Sequence, residues 1–178
     1  MASNQITVKT TRGPRVLTPG LLDEEAQRAF SEGQCHALAI AIAELTSLPL
    51  VALMYYDYNK EDEFGPLEEI LEKSPTGTLP MDIFADSWYH AAVKLGRDRL
   101  LDVFGLRSQE EMINTYLDDA DVARNADEPT YYHIVPTSAK QLATVHAAGP
   151  PGVYGVRPNL HAARVFAPTA LSLALEPA

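Results

Sequence analysis

The stretch Ser31-Glu32-Gly33-Gln34-Cys35-His36-Ala37-Leu38-Ala39-Ile40-Ala41-Ile42-Ala43 decides the fold of this chain. It holds the only cysteine, placed directly before an alanine-rich apolar run that predicts a helix from Gln34 to Leu45, buried on several sides. Backbone N–H groups in a first helical turn lack partners and carry partial positive charge, so a thiol there loses its proton readily. The alternative is plain packing, because unpaired cysteine is usually buried as a small hydrophobe.

Composition limits the classes of protein to which the chain can belong. Its 178 residues, 46% of them hydrophobic, fit a single domain, and a formal net charge of −10 argues against a nucleic-acid surface or an acidic membrane leaflet. One cysteine forms no internal disulfide, and the polar residues 1–15 lack the apolar core of a signal peptide. No apolar run of about 18 residues is present. We therefore expect a soluble cytoplasmic protein of one domain, 1–178.

The flanking segments show several local patterns. We expect residues 1–18 to be a polar arm or an edge strand, and residues 57–80 to be an acidic surface insertion with a turn or two of helix. Further predicted elements are a helix over 22–30, a strand over 50–56, a helix from the capping box Ser108-Gln109-Glu110-Glu111 through Leu117, a strand over 131–136, and a helix over 139–146 stopped by Gly149-Pro150-Pro151-Gly152. Mixed periodicity leaves 150–178 without a predicted element.

A second informative stretch runs from Trp88 to Gly105. Two β-favouring runs, Trp88–Leu95 and Leu100–Gly105, flank the polar tetrad Gly96-Arg97-Asp98-Arg99, which predicts a hairpin. Counting in from the turn places His90 opposite position 104 or 105 and Asp102 opposite position 92 or 93. The two side chains are then diagonal neighbours on one face, where the carboxylate can reach the imidazole.

A cysteine at a helix start, a histidine on a strand and an aspartate on the next strand are the parts of nucleophilic acyl transfer. Cys35 would attack a carbonyl carbon, His90 would act as base and acid, and Asp102 would orient the imidazole. Each has a structural alternative: packing for the thiol, backbone hydrogen bonds for the imidazole, and pairing with Arg97 or Arg99 for the carboxylate.

Further residues surround this predicted triad. The backbone N–H of Cys35 and the side chain of Gln34 are candidate oxyanion donors, although Gln34 is equally an ordinary N-terminal helix residue. Trp88 and Tyr89 either line a substrate cleft or pack in the core. His36 projects about 100° from Cys35 around the helix, so we interpret it as packing or as facing the substrate.

A metal site would need more ligands than the sequence indicates. The conceivable zinc ligands are Cys35, His36, His90 and Asp102. The sequence, however, has no pair of cysteines or histidines at the spacing typical of zinc ligands. We expect no metal and no cofactor. We assign His133, His146 and His161 structural roles.

Three segments together resemble the papain-like superfamily in its broad sense. They are Gly33-Gln34-Cys35 at the start of an Ala-rich helix, His90-Ala91-Ala92-Val93, and Leu101-Asp102-Val103-Phe104-Gly105. That superfamily includes transglutaminase-like, arylamine N-acetyltransferase-like, thiol protease-like and deamidase members. Small bacterial and phage proteins with a Cys-His helix are similar too. The resemblance covers 31–45 and 88–107 and implies an α+β fold with the cysteine helix packed on an antiparallel sheet. His36 stands where papain-type peptidases carry an aromatic residue, and only Gly33 remains of the glycine-rich segment of the acetyltransferases.

Two functions follow from these patterns. The first is a Cys-His-Asp hydrolase or acyltransferase that acts on an amide of a protein, a peptide or a small molecule, with water or an amine as acceptor. The alternative is a non-catalytic acidic interaction protein of phage or plasmid origin, whose charge of −10 attracts a basic partner. The patterns do not predict the substrate or the oligomeric state.

Overall fold

The computed structural model describes residues 5–116, 131–148 and 156–175. Within these ranges the protein has an α+β fold with antiparallel sheets. The strands are β1 (Ile6–Thr10), β2 (Gly13–Leu17), β3 (Leu50–Tyr55), β4 (Trp88–Lys94), β5 (Arg99–Asp102), β6 (Gly105–Ser108) and β7 (Tyr132–Pro136). The helices are α1 (Glu24–Ser31), α2 (Cys35–Thr46), α3 (Tyr58–Phe64), α4 (Leu67–Lys73), α5 (Met81–Ser87), α6 (Gln109–Tyr116), α7 (Ala139–Ala148) and α8 (Leu160–Leu175).

A five-stranded antiparallel sheet in the order β6-β5-β4-β3-β7 forms the centre of the fold. Because side chains alternate along a strand, each strand supplies residues to both faces. One face joins the main core together with α2, through residues such as Ala52, Ala91 and Leu101. The other face carries a smaller cluster of Val51, Ala92, Leu100 and Met112, the last from α6. The sheet is therefore covered on both sides.

Helix α2 lies between the sheet and α8. Residues 35–42 are all buried, as the apolar run predicts, and the small Ala37, Ala39 and Ala41 let neighbouring elements approach the helix axis. The helix ends at Ser47, which adopts a left-handed conformation with φ of 58° just before Pro49. The predicted central helix is confirmed with its start at Cys35.

Residues 6–17 form a hairpin, so of the two alternatives expected for residues 1–18 the strand is confirmed and the arm is wrong. Strands β1 and β2 pair in an antiparallel register from Ile6↔Leu17 to Thr10↔Gly13. Val8 and Leu17 enter the main core, so hydrophobic burial fixes a segment whose polar composition suggested a free arm. Residues 1–4 lie outside the described ranges.

The acidic segment 57–80 contains the expected turn or two of helix as α4, together with a second helix, α3, that was not predicted. Within this segment, Leu67 and Leu79 are buried in or against the core. A further helix, α5, precedes β4 without having been predicted. The predicted second hairpin strand divides into β5 and β6 at a turn over 103–104, where the N–H of Phe104 donates to Oδ1 of Asp102.

Other predicted elements are confirmed. The capping box at the start of α6 is reciprocal, since the N–H of Glu111 donates to Oγ of Ser108 and the N–H of Ser108 donates to the Glu111 carboxylate. In the segment left without a predicted element, 160–175 form α8. Leu117, 149–155 and 176–178 lie outside the described ranges. No helix in the described part of the chain is both long and apolar enough to span a membrane.

The turn that leads into α2 depends on Gly33. Its φ is 131°, and a Cβ there would lie 3.1 Å from the backbone nitrogen of Thr11. The N–H and the hydroxyl of Thr11 both donate to the carbonyl of Glu32, at 2.8 and 2.7 Å, and hold the β1–β2 turn against this loop. A side chain at position 33 would therefore strain the backbone and separate two bonded segments.

We expect Gly33→Ala to lower the free energy of unfolding by about 1–3 kcal/mol, the range for a residue held in a disfavoured backbone conformation. The measurement is the urea midpoint. Gly77→Ala is the matched control, because Gly77 also has positive φ (66°) but a Cβ added there would meet no atom within 4 Å. Equal losses in the two variants would contradict a role for the Thr11 contact.

Candidate active site

Cys35 is the first residue of α2 and lies at the wall of a cleft of about 730 Å³. Its side chain is 4% exposed. The first bond within the helix joins the N–H of Leu38 to the carbonyl of Gln34, so the N–H groups of the preceding helical residues have no intrahelical partner. The local positive potential of the helix start therefore acts on the thiol.

His90 and Asp102 come together on the hairpin as the register predicted. Strand β4 pairs with β5 through Val93↔Leu101 and Lys94↔Leu100. When this register is continued, Asp102 lies opposite position 92, two residues along β4 from His90. Nε2 of His90 donates to Oδ2 of Asp102 at 2.9 Å. Both side chains are buried, at 0% and 3% exposed. The bond fixes the ring orientation and its tautomer.

Two more donors hold the Asp102 carboxylate. Oδ1 accepts the N–H of Phe104 at 2.9 Å, and Oδ2 also accepts from the Arg107 guanidinium. Burial raises the pKa of Asp102, but its hydrogen bond to His90 and the charges of His90 and Arg107 outweigh burial and lower it. Arg107, rather than the expected Arg97 or Arg99, is the cationic partner.

The ionisation of Cys35 and His90 is coupled. Burial raises the pKa of Cys35, but the charge of His90 and hydrogen bonding from His36 and His90 lower it to about 6. Burial lowers the pKa of His90, yet the charge of Cys35 and the bond to Asp102 raise it to about 9. Between these values the pair is a thiolate and an imidazolium, the reactive form of a cysteine–histidine pair.

Tyr116 is a site residue that the sequence patterns missed. Its hydroxyl lies 2.7 Å from Nδ1 of His90, and the two ring centroids are 4.9 Å apart. Burial raises the pKa of Tyr116, and the nearby charges of Cys35 and Asp102 raise it further, so the phenol stays neutral. Tyr116 lies on the apolar face of α6, and such a position does not predict a polar role for its side chain.

His36 lies closer to the chemistry than its position on the helix predicts. It is 1% exposed and lines the same cleft as Cys35. Its Nε2 donates to the carbonyl of Val156 at 3.2 Å, and its ring meets Trp88 edge-on at 5.5 Å. His36 lowers the pKa of Cys35, although its Nδ1 has no partner of normal hydrogen-bond geometry. The contact with the thiol is therefore a loose one.

Gln34 does not supply the expected oxyanion donor. Its Nε2 donates to the carbonyls of Lys9 at 2.8 Å and Arg157 at 3.2 Å, and its Oε1 accepts the N–H of Asn159 at 2.8 Å. The amide is thus fully used, and it lines a different pocket from Cys35. Gln34 joins β1 to the segment that leads into α8, which is a structural role.

Trp88 and Tyr89 both line the Cys35 cleft. Trp88 is also packed, since its ring stacks on Phe84 at 6.3 Å. Tyr89 is about half exposed and contacts the rings of Tyr116 and Tyr132 edge-on, each at 5.9 Å. The packing and cleft-lining interpretations therefore both apply to Trp88, whereas Tyr89 stands at the open side.

Comparisons with known proteins identify no relative of this chain. No protein-family model, curated protein or solved structure matches the chain. Among the described residues, no group of three or more His, Cys, Asp or Glu side chains is arranged to hold a metal ion.

The pKa of Cys35 predicts how its alkylation depends on pH. With a pKa of about 6, the rate should reach half its maximum near pH 6 and be nearly flat above pH 7. The alkylation rate of an ordinary thiol, whose pKa is about 8.5, rises steeply above pH 7. Alkylation by iodoacetamide followed by intact mass reads this site alone, because the chain has one cysteine.

His90→Ala should move the midpoint above pH 8, because burial then acts without the compensating charge. His161→Ala, which changes an exposed histidine of α8, is the matched control. A wild-type midpoint near 8.5 would contradict the proposed thiolate–imidazolium pair.

Gln34→Ala should destabilise the fold by about 1–3 kcal/mol, because it leaves the partly buried N–H of Asn159 and the carbonyl of Lys9 unpaired. The midpoint of the alkylation profile should stay near pH 6. Chemical denaturation and the same alkylation assay check the two parts. Unchanged stability would contradict the structural role.

Proposed function

We propose that this protein is a cysteine-dependent acyl-transfer enzyme that acts on an amide bond through a thioester on Cys35. The arrangement supports a papain-like interpretation, in which a nucleophile helix packs on an antiparallel sheet that carries the histidine and the aspartate. The single observation behind the proposal is the buried series Cys35, His90 and Asp102 beside a cleft of about 730 Å³. Perturbed pKa values in a cleft are typical of catalytic groups.

The first half-reaction forms the thioester. The Cys35 thiolate attacks the carbonyl carbon of the amide and forms a C–S bond, while the carbonyl electrons move to oxygen. As they return, the C–N bond breaks, and the His90 imidazolium donates its Nδ1 proton to the leaving nitrogen. The products are an amine or ammonia and an acyl group on Sγ.

The second half-reaction releases the acyl group. Neutral His90 takes a proton from water or from an acceptor amine as it attacks the thioester carbon. The C–S bond breaks and restores the thiolate. Water gives a carboxylic acid, as in a peptidase or deamidase, whereas an amine gives a new amide.

Asp102 and Tyr116 hold the imidazole from its two nitrogens. Asp102 keeps Nε2 protonated and stabilises the positive charge on the ring. Its buried carboxylate therefore acts through His90 and does not contact the substrate. Tyr116 occupies Nδ1 in this state. Proton transfer from Nδ1 to the leaving group requires the phenol to give up that bond when substrate enters.

Negative charge on the carbonyl oxygen needs a donor other than Gln34. The backbone N–H groups of the first turn of α2, beginning with that of Cys35, are the fixed donors nearest the thiol. They are oriented by the helix and need no rearrangement as charge develops.

The test uses p-nitrophenyl acetate, a small activated acyl donor. Wild-type protein should acetylate on Cys35 with a burst of p-nitrophenol followed by slow turnover, detected by absorbance and intact mass. Cys35→Ala should abolish acetylation at this site, and His90→Ala should slow it by about 10²-fold or more. Asp102→Asn should slow it by at least about tenfold, because the ring loses its orienting charge.

His161→Ala is the matched control and should leave the burst intact. The proposal is overturned if Cys35 acetylates no faster than N-acetylcysteine at the same pH. It is overturned equally if His90→Ala leaves the rate unchanged while circular dichroism shows a folded protein.

A further inference from the structure

Two consecutive residues of the Cys35 cleft carry buried polar atoms that have no hydrogen-bond partner within the described part of the chain. They are Oγ of Ser87 and Nε1 of Trp88, and both residues line the cleft together with Cys35. Ser87 is 3% exposed. Most buried polar side-chain atoms in folded proteins are paired, because an unpaired one gives up its bonds to water without replacement. Two such atoms on consecutive residues of the cleft wall point to a polar ligand that would pair with them.

These groups are held firmly in position. Ser87 is the last residue of α5 and Trp88 the first residue of β4, which reaches His90 two positions later. The Trp88 ring is fixed by stacking on Phe84 and by the edge contact with His36. The indole N–H of Trp88 is therefore fixed in direction before a ligand binds.

The charges around the cleft do not favour an ionic ligand. Of its charged lining residues, Lys60 pairs with Asp86, and Glu32 pairs with Arg15 at 2.8 Å. Arg12 lies 3.9 Å from Glu32, and its side chain is 76% exposed to solvent. Among the described lining residues, therefore, no buried carboxylate, guanidinium or ammonium group lacks a charged partner, and the remaining charge, that of Arg12, is in solvent. The open hydrogen-bonding capacity is neutral, which favours an uncharged polar group.

We propose that Ser87 and Trp88 form a subsite for a neutral primary carboxamide, whose acyl carbon Cys35 attacks. This proposal rests on the proposed function and specifies its substrate class. The indole N–H only donates and fits the carbonyl oxygen, while the Ser87 hydroxyl accepts from the amide NH2. A thiol that is 4% exposed favours a group at the end of a side chain or small molecule over an internal peptide bond, which has chain on both sides.

The reaction at this subsite is a deamidation. Cys35 adds to the carboxamide carbon, the C–N bond breaks, and ammonia leaves with the proton of the His90 imidazolium. Water then cleaves the thioester to a carboxylic acid. Ionisation of that acid at neutral pH gives a carboxylate, which meets no buried unpaired cation among the described lining residues and therefore leaves.

The experiment compares three alkylating probes on the single cysteine by intact mass. Chloroacetamide presents the full carboxamide, N,N-dimethylchloroacetamide lacks the N–H donors, and chloroacetate is charged. Rates are divided by those of N-acetylcysteine and by the rate of Cys35 with methyl methanethiosulfonate, which reports thiolate reactivity alone. We expect chloroacetamide to be favoured over each of the other two probes by about tenfold, the effect of one or two hydrogen bonds.

Ser87→Ala and Trp88→Phe should each lower the normalised chloroacetamide rate by about fivefold to tenfold, because each removes one hydrogen-bonding group while keeping the side chain's approximate shape. Ser74→Ala, which removes a hydroxyl from an exposed loop outside this cleft, should leave it unchanged. Circular dichroism melting shows which variants are folded, and either variant alone tests the subsite.

The outcomes separate the two proposals. If methyl methanethiosulfonate reacts fast with Cys35 but the three probes show the selectivity of N-acetylcysteine, the carboxamide subsite is overturned and the acyl-transfer function stands. Folded variants with wild-type selectivity overturn the subsite in the same way. Slow reaction with every reagent overturns both.

Discussion

Close packing of α2 against β4 is the constraint on which the rest of the structure depends. It places the thiol of Cys35 where the imidazole of His90 acts on it, and both groups are removed from water. Burial alone would keep each of them neutral, because desolvation disfavours the charged form. The mutual attraction of the thiolate and the imidazolium outweighs desolvation, so the pKa of Cys35 falls and the pKa of His90 rises. The alanine side chains of α2 permit the approach, since larger residues would hold the helix further from the sheet.

The imidazolium needs support beyond the thiolate, and the hairpin provides it. Asp102 accepts from His90, from the backbone of Phe104 and from Arg107, so its charge is paired although it is buried. A buried charge without partners would be strongly destabilising. The series Cys35, His90, Asp102 and Arg107 therefore alternates in sign, and each member compensates the desolvation of its neighbours.

The prediction of the site from sequence succeeded where the relation was local. His90 and Asp102 are twelve positions apart and joined by a short turn, so the hairpin register alone places them together. Gln34 shows the opposite case. It adjoins the nucleophile, yet its partners are Lys9, Arg157 and Asn159, and contacts over such distances in the chain have no sequence pattern. Tyr116 and Ser87 were missed for the same reason, because helix packing rather than periodicity brings them to the cleft.

The sequence by itself determined the apolar central helix with its thiol at the first turn, the hairpin, the capping box and the net negative charge. These follow from periodicity, turn chemistry and composition, which act over a few residues. Only the tertiary structure decided which groups meet the thiol, which donors remain unpaired, and that 6–17 form a packed hairpin. The physical reason is that burial, which sets both pKa values and the cost of an unpaired donor, is a property of the assembled core.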